Sequence, residues 1–259
     1  MPDPVLVGCS HGTDDPEGRL AVASILTEVR RRRPDLDVRE AFVDVQQPEV
    51  ADVVGGAITE TGSAGAPGTA VVVPLLLSAG FHVHVDIAAA VADRTATASG
   101  ALGPDPRLVE VLVDRLREVG ATGEDAVVLA AAGSSDGRAS RAVEEVAELL
   151  RKRWPEGPVT VGYGSSASPS VPEAVAAARA DGRRVVVAAY LLAPGFFLDR
   201  LRRAGADLLT GALAPDPRIA DVVLDRYACA ARAVVGPCPG ACPGRSGCGQ
   251  VRDHDLATV

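Results

Sequence analysis

Residues Ala101–Leu108 read A-L-G-P-D-P-R-L, and residues Ala212–Ile219 read A-L-A-P-D-P-R-I. Each stretch runs into an amphipathic segment, and the two segments carry Asp114-Arg115 and Asp225-Arg226 at matching places. The correspondence extends toward the N-terminus of each copy. Gly80-Phe81-His82 falls on Gly195-Phe196-Phe197, Val71-Val72-Val73 on Val186-Val187-Ala188, and Val5–Gly12 on Val127–Gly133 with a small adjustment. The offset between copies shrinks along the chain, as ordinary loop changes would make it. Ordered self-similarity over half a chain is the signature of a duplicated unit.

Within each copy, apolar runs of strand length alternate with helix-period segments. In the first copy, Val5–Cys9, Val38–Val43 and Ala70–Leu77 read as strands. Arg19–Arg33 reads as a helix, with positive charge at its C-terminal end and Pro34 as its stop. Pro48–Thr59 reads as a helix opened by its proline, Thr61–Gly68 as a surface loop, Ile87–Ala98 as an Ala-rich helix, and Leu108–Val119 as a helix introduced by Asp105-Pro106. In the second copy, Ala126–Ala132, Val159–Tyr163 and Arg184–Leu192 are expected strands. Arg138–Arg153, Pro172–Arg179 (capped by Ser170), Leu198–Ala204 and Ile219–Ala233 are expected helices. Such alternation predicts an α/β fold: two tandem duplicated open parallel-sheet units with helices on both faces and an active-site cleft between them. The expected divisions are 1–122, 123–235 and a cysteine-rich tail, 236–259.

Composition narrows the chemistry. The chain has 259 residues, 47% of them apolar, which is enough for extensive cores, and a net charge of −8. That charge argues against general nucleic-acid binding, which needs a basic surface. No apolar run reaches membrane-spanning length. The N-terminus lacks a secretory pattern, so the expectation is a cytoplasmic protein whose five cysteines are thiols or metal ligands. Neither first strand is followed by a G-x-x-x-x-G-K-S/T or G-x-G-x-x-G loop, which counts against a phosphate-handling enzyme.

The chain has four histidines. His11 follows the first strand in C-S-H-G-T, and His82 and His84 follow the third in S-A-G-F-H-V-H. The first and third strands of an open parallel unit commonly lie side by side, so His11 and one of the pair can face one ligand. In the second copy Ala132, Phe197 and Asp199 replace His11, His82 and His84. The scaffold therefore does not require the imidazoles, which favours metal binding or proton transfer in the N-terminal half over a histidine satisfied by its own loop. His82 is the preferred partner because Gly-Phe precedes it in both copies. Asp14, Asp15, Asp44 and Asp86 stand near strand ends as orienting or capping residues, with Glu40 less well placed. Arg19 is a candidate for meeting a carboxylated ligand. Ser134-Ser135 and Ser165–Ser170 supply hydroxyls suited to carboxylates, to water or simply to turns.

Two stretches resemble the sirohydrochlorin chelatase family, the class II-type enzymes that insert a divalent metal into a tetrapyrrole. One is Cys9-Ser10-His11-Gly12-Thr13. The other is Pro74-Leu75-Leu76-Leu77-Ser78-Ala79-Gly80-Phe81-His82-Val83-His84-Val85-Asp86-Ile87. The resemblance covers nearly the whole chain, including the duplication of the family's longer members. It implies that His11 and His82 hold the metal and carry the reaction. It also implies that Ser10, Gly12, Thr13, Ser78, Gly80 and His84 bind the substrate. Where the family commonly has an arginine after its first histidine motif, this chain has Asp14 and Asp15.

The implied reaction is lyase chemistry of porphyrin biosynthesis, with sirohydrochlorin and Fe²⁺ as substrates and sirohaem as product. Alternatives are Co²⁺ insertion in cobalamin biosynthesis and a non-catalytic tetrapyrrole or metal carrier. The chain is expected to be a monomer or homodimer. Cys229, Cys238, Cys242 and Cys248 could together hold a [2Fe–2S] or [4Fe–4S] cluster, as on some tetrapyrrole chelatases, with zinc or plain thiols as alternatives. Cys9 reads as a small buried residue.

Overall fold

The computed structural model describes residues 3–60, 68–80, 83–92 and 94–235. In the first half, β1 (Val5–Ser10), β2 (Val38–Phe42), β3 (Ala70–Pro74) and β4 (Ala96–Ala98) form a sheet in the order β2-β1-β3-β4. In the second, β5 (Ala126–Ala131), β6 (Val159–Tyr163), β7 (Val185–Tyr190) and β8 (Leu208–Leu209) repeat it as β6-β5-β7-β8. Every pairing is parallel. The helices are α1 (Pro16–Arg32), α2 (Val50–Glu60), α3 (Ala88–Val91, entered through a π-helical turn at Val83–Ile87), α4 (Pro106–Glu118), α5 (Gly137–Arg153), α6 (Val171–Arg179), α7 (Phe196–Leu201) and α8 (Pro217–Val235).

Local chemistry sets the helix starts. Asp15, Asp105, Asp136 and Ser170 cap α1, α4, α5 and α6, their side chains accepting from the N–H groups of Gly18, Arg107, Arg138 and Glu173. Ser170 and Glu173 complete a reciprocal capping box. Two expectations need correction. Ile87–Ala98 is not one helix: α3 ends at Val91, and Ala96–Ala98 is strand β4 on the edge of β3. The helix propensity of the alanines yields there to edge pairing, helped by β-branched Thr95 and Thr97. Thr95 donates its hydroxyl to the Gly68 carbonyl at 2.6 Å, and its own carbonyl accepts from Ala70 N–H at 3.2 Å. Nor does Pro48 open α2, which begins at Val50. The Pro48 carbonyl instead accepts from Phe42 N–H at 3.0 Å.

Period-two alternation sends alternate strand residues into different cores. In the first sheet, Val5, Val7, Cys9, Ala70 and Val72 pack outward with Val50 and Val54 of α2. In the second, Val185, Val187 and Ala189 pack outward with Val171 and Val175 of α6. The alternate residues Leu6, Val71, Val73, Val186, Ala188 and Tyr190 all enter one central core with α1, α4, α5 and α8. The molecule is thus five layers, with four helices filling the space between two sheets.

Two of those four helices are exchanged between the halves. α4, from the first half, packs on β7, and α8, from the second, packs on β3 and β4. The Asp-Arg pairs found in the repeat hold the exchange. Arg226 on α8 is buried and donates to the carbonyls of Ala101, Leu102 and Pro104 at 3.0, 2.9 and 3.4 Å. Its mate Arg115 on α4 donates to the carbonyls of Ala212, Leu213 and Pro215 at 3.1, 3.2 and 3.0 Å. Arg107 pairs with Asp225 at 2.7 Å, and Arg218 with Asp114 at 2.8 Å. The Tyr227 hydroxyl donates to the Pro4 carbonyl at 2.6 Å. These reciprocal contacts give the single chain the geometry of an isologous dimer interface.

Removing the Arg226 guanidinium leaves three carbonyls unsatisfied in the core. Arg226→Ala is expected to lower the unfolding free energy by about 3 kcal/mol, read from urea denaturation. The Asp105 beneath it gives a pH dependence. Burial alone would raise its carboxyl, but hydrogen bonds from Arg107 and the charges of Arg107 and Arg226 hold it below the ordinary value. A carboxyl lowered in the folded state contributes stability above its unfolded pKa of ~3.9 that is lost as pH falls through the folded value. The urea midpoint should therefore drop in acid, and Asp105→Asn should flatten that drop.

Candidate functional site

The C-terminal ends of β1, β3, β5 and β7 open on one cleft with two lobes, of about 680 and 430 Å³. Both volumes fall in the range of small-ligand sites. Ser10, His11, Gly12 and Thr13 line the larger lobe, and His11, Ser78 and Gly80 the smaller. His11 lines both, along with Leu75, Ala132, Leu191 and Phe197.

The chain holds this loop by few but specific contacts. Val43 and Asp44 N–H donate to the Ser10 and His11 carbonyls at 3.0 and 3.2 Å, continuing the β1–β2 ladder past the strand end. Gly12 then turns with φ +91°, and a side chain there would come within 2.5 Å of the Asp44 carbonyl. Its repeat mate Gly133 has φ +89°. Both copies thus need glycine for the turn, whatever stands before it. Thr13 N–H donates to Gln46 Oε1 at 2.9 Å, and the Thr13 hydroxyl accepts from Asp15 N–H at 3.1 Å.

Ser10 ends β1 and lines the larger lobe. It is 5% exposed, and its Oγ has no hydrogen-bond partner. The equivalent residue in β5 is Ala131, equally buried, so the fold accepts this position without a hydroxyl. An orphaned buried hydroxyl is costly to a fold and uncommon. Cys9, facing the opposite core, has its thiol pushed up to about 12 by burial, with the Asp86 charge adding to the shift.

The acidic residues after His11 are engaged locally. Asp15 caps α1 at 2.7 Å from Gly18 N–H, and Asp14 pairs with Arg19 at 3.2 Å. Arg19 reaches back from the first turn of α1 to donate Nε to the Thr13 carbonyl at 2.7 Å. Arg19 thus brings a positive charge back to the loop, where Asp14 pairs with it. Glu40, which the sequence places poorly, also lines the larger lobe. Asp44 accepts from Val45 N–H at 2.8 Å.

Sequence reasoning missed the apolar rim. Leu20, Val45 and Phe196 are 72%, 49% and 69% exposed, and all three line the larger lobe. An exposed apolar surface grouped around one cleft marks a binding face. Arg200 stands 5.7 Å from the centre of the Phe196 ring. The smaller lobe has an apolar wall that includes Leu77, Val143 and Leu191, and adds hydroxyls from Ser78, Ser134, Ser135, Ser140, Ser166 and Tyr163. His84 is on the π-helical turn Val83–Ile87. His82, Cys238, Cys242 and Cys248 lie outside the described residues, as does all but Gly68 of the expected Thr61–Gly68 loop. Cys229 is on α8 and half-buried. Among the described residues, no group of three or more His, Cys, Asp and Glu side chains is gathered to hold a metal.

A family model described as CbiX matches the chain twice, over residues 5–119 and 126–230. The chain belongs to the CbiX family. Each half is one copy of the CbiX unit, as the internal repeat indicated. A sirohydrochlorin ferrochelatase from Priestia megaterium is 30% identical over 222 residues, covering 81% of this chain and 80% of the relative. The resemblance to the sirohydrochlorin chelatases is therefore family membership. Among solved structures, SirB from Bacillus subtilis with Fe³⁺ superposes with a TM-score of 0.76 at 22% identity, covering 89% of this chain and 97% of SirB. The sirohydrochlorin chelatase SirB from Bacillus subtilis subspecies spizizenii, in complex with cobalt, gives 0.73 at 18% identity, covering 91% and 98%. These two structures have the CbiX fold seen here. No helix among the described residues is long and apolar enough to cross a membrane.

Because the left-handed turn belongs to the scaffold, Gly12→Ala should destabilise the protein by roughly 1–3 kcal/mol, read as a lower midpoint in thermal or urea melting.

Proposed function

We propose that this CbiX protein is a sirohydrochlorin ferrochelatase, a lyase that inserts Fe²⁺ into sirohydrochlorin to form sirohaem. The observation that carries the reading is the place of His11, at the junction of two lobes of a single cleft. The larger lobe has an apolar rim, with Arg19 and the acidic Asp14, Asp15 and Glu40 also among its lining residues. That rim suits the face of a flat macrocycle. The name of the Priestia relative supports iron over cobalt.

Insertion exchanges two pyrrole protons for one M²⁺. His11 and His82 present the ion to the ring as metal ligands and catalytic residues. As ring nitrogens replace the imidazoles on the metal, each freed imidazole can take a departing pyrrole proton, so the charge balance closes within the site. Ser10 donates its unpartnered hydroxyl to the bound substrate. Gly12 and Thr13 shape the loop around it, and Ser78, Gly80 and His84 complete the substrate contacts from the third-strand loop. The units 1–122 and 123–235 act together in the cytoplasm, as a monomer or homodimer.

An anaerobic assay with sirohydrochlorin and Fe²⁺, Co²⁺ or Ni²⁺ in parallel tests this reading. Wild type is expected to turn over fastest with Fe²⁺. His11→Ala and His82→Ala should lose insertion with the thermal midpoint unchanged, and normal kinetics in both would falsify the proposal. Ser10→Ala should fold at least as stably as wild type, since it removes an unsatisfied group, but insert metal more slowly.

A cluster on Cys229, Cys238, Cys242 and Cys248 is a separate proposal resting on the sequence. Iron and sulfide analysis of protein purified without oxygen tests it, and a colourless, zinc-containing protein would reject it.

A further inference from the structure

The two lobes are copies of each other. Gly12 and Gly133 share one left-handed turn, Val45 and Ser166 share another at φ 58° and 54°, and Phe42↔Glu49 and Tyr163↔Ser170 form the same bridge. The hydroxyl of Thr13 accepts from Asp15 N–H, and that of Ser134 accepts from Asp136 N–H, each at 3.1 Å. On this common frame the lining has diverged. Asp14, Arg19 and Val45 of the larger lobe correspond to Ser135, Ser140 and Ser166 of the smaller. Each of these three changes replaces a charged or apolar side chain with a hydroxyl, while Ser10 and His11 correspond to Ala131 and Ala132. No Asp, Glu, Lys or Arg is found among the described residues that line the smaller lobe.

We infer that the smaller lobe is a second, uncharged subsite that takes carboxylate arms from one edge of the tetrapyrrole, while the larger lobe covers its face. The inference rests on the proposed chelatase reading for the identity of the ligand. Its physical basis is separate. A serine whose oxygen already accepts one bond, as Ser134 does, still has its O–H proton to donate. Ser140 and Tyr163 are hydrogen-bonded to each other, which leaves that pair one O–H proton to donate. Several such donors in a lobe lined by no acidic side chain among the described residues favour an anion, and each bond to a carboxylate is charge-assisted. The lobe also lies against Ala139, Ser140 and Val143 of the first turns of α5, whose backbone dipole opposes a dication there. Hydroxyls without a fixed cation hold the arms weakly enough for product to leave, whereas a buried arginine pair would not. His11, shared by both lobes, then stands between the ring face and its gripped edge.

The test measures tetrapyrrole binding by fluorescence quenching without metal, so it reads the subsite even if wild type inserts no metal. Absence of insertion would count against the proposed function alone. The probes are an octacarboxylate tetrapyrrole and a dicarboxylate porphyrin, each titrated into the full chain, with the thermal midpoint of every variant checked. For the octacarboxylate, S140A/S166A should raise the dissociation constant about five-fold. Ser166→Asp adds a like charge at a backbone conformation that aspartate tolerates, and should raise it roughly ten-fold. The dicarboxylate porphyrin should respond much less to either. Equal effects on both probes, or no effect on either, would overturn the inference. So would a Ser166→Asp protein with unchanged tetrapyrrole binding and a lower KM for Fe²⁺ or Co²⁺, since the lobe would then be a cation chamber.

Discussion

The contact on which the rest depends is a buried guanidinium over foreign carbonyls. Arg226 of the last helix satisfies the carbonyls of Ala101, Leu102 and Pro104, and Arg115 does the same for Ala212, Leu213 and Pro215. These carbonyls belong to the A-L-x-P-D-P loops and are not in strands, so no ladder partner serves them. An unpaired carbonyl in a core is costly, and a guanidinium with several donors can meet three at once. Because each arginine comes from the opposite half, local satisfaction enforces the exchange of α4 and α8. The exchange in turn fixes the spacing of the two sheets, with Leu108, Leu112, Ile219 and Val223 filling the layer between them.

That spacing creates the cleft. Strand ends from both halves face it, and each half's first loop meets the other half's third. A side chain at Gly18 would strike the Pro194 carbonyl at 2.6 Å, and one at Gly80 would come within 3.1 Å of Ser134 Oγ. The duplication thus makes two lobes with one ancestry. Once both copies lie in a single chain, each can change alone. One lobe has the apolar rim, charged side chains of both signs and the orphaned Ser10 hydroxyl, and the other has neutral hydroxyls among apolar residues and no Asp, Glu, Lys or Arg among the described residues that line it. A homodimer of one unit has two identical lobes and lacks that freedom.

Much of this was legible in the residues. Strands and helices showed in their periodicity, caps in Asp15, Asp105 and Ser170, and the stop at Pro34. The duplication showed in two octapeptides, and His11, singled out because only one copy has it, lines both lobes of the cleft. What failed, failed for lack of long-range information. The Ile87–Ala98 segment has the composition of a helix, but the free edge of β3 recruits Ala96–Ala98. Leu20 and Phe196 carry no sign in the sequence that they stay exposed, because a period pattern reports which side chains are apolar and not which find a partner.

The sequence by itself determined the units: two α/β copies, their parallel strands, a histidine at the end of the first strand of one copy, and family membership through its motifs. Only the tertiary structure decided how the copies meet. Asp114-Arg115 and Asp225-Arg226 read as ordinary charged helix positions, and nothing local shows that each arginine serves the other copy. Only when the chain closes on itself are those distant carbonyls in reach, and the same closure brings both lobes to His11.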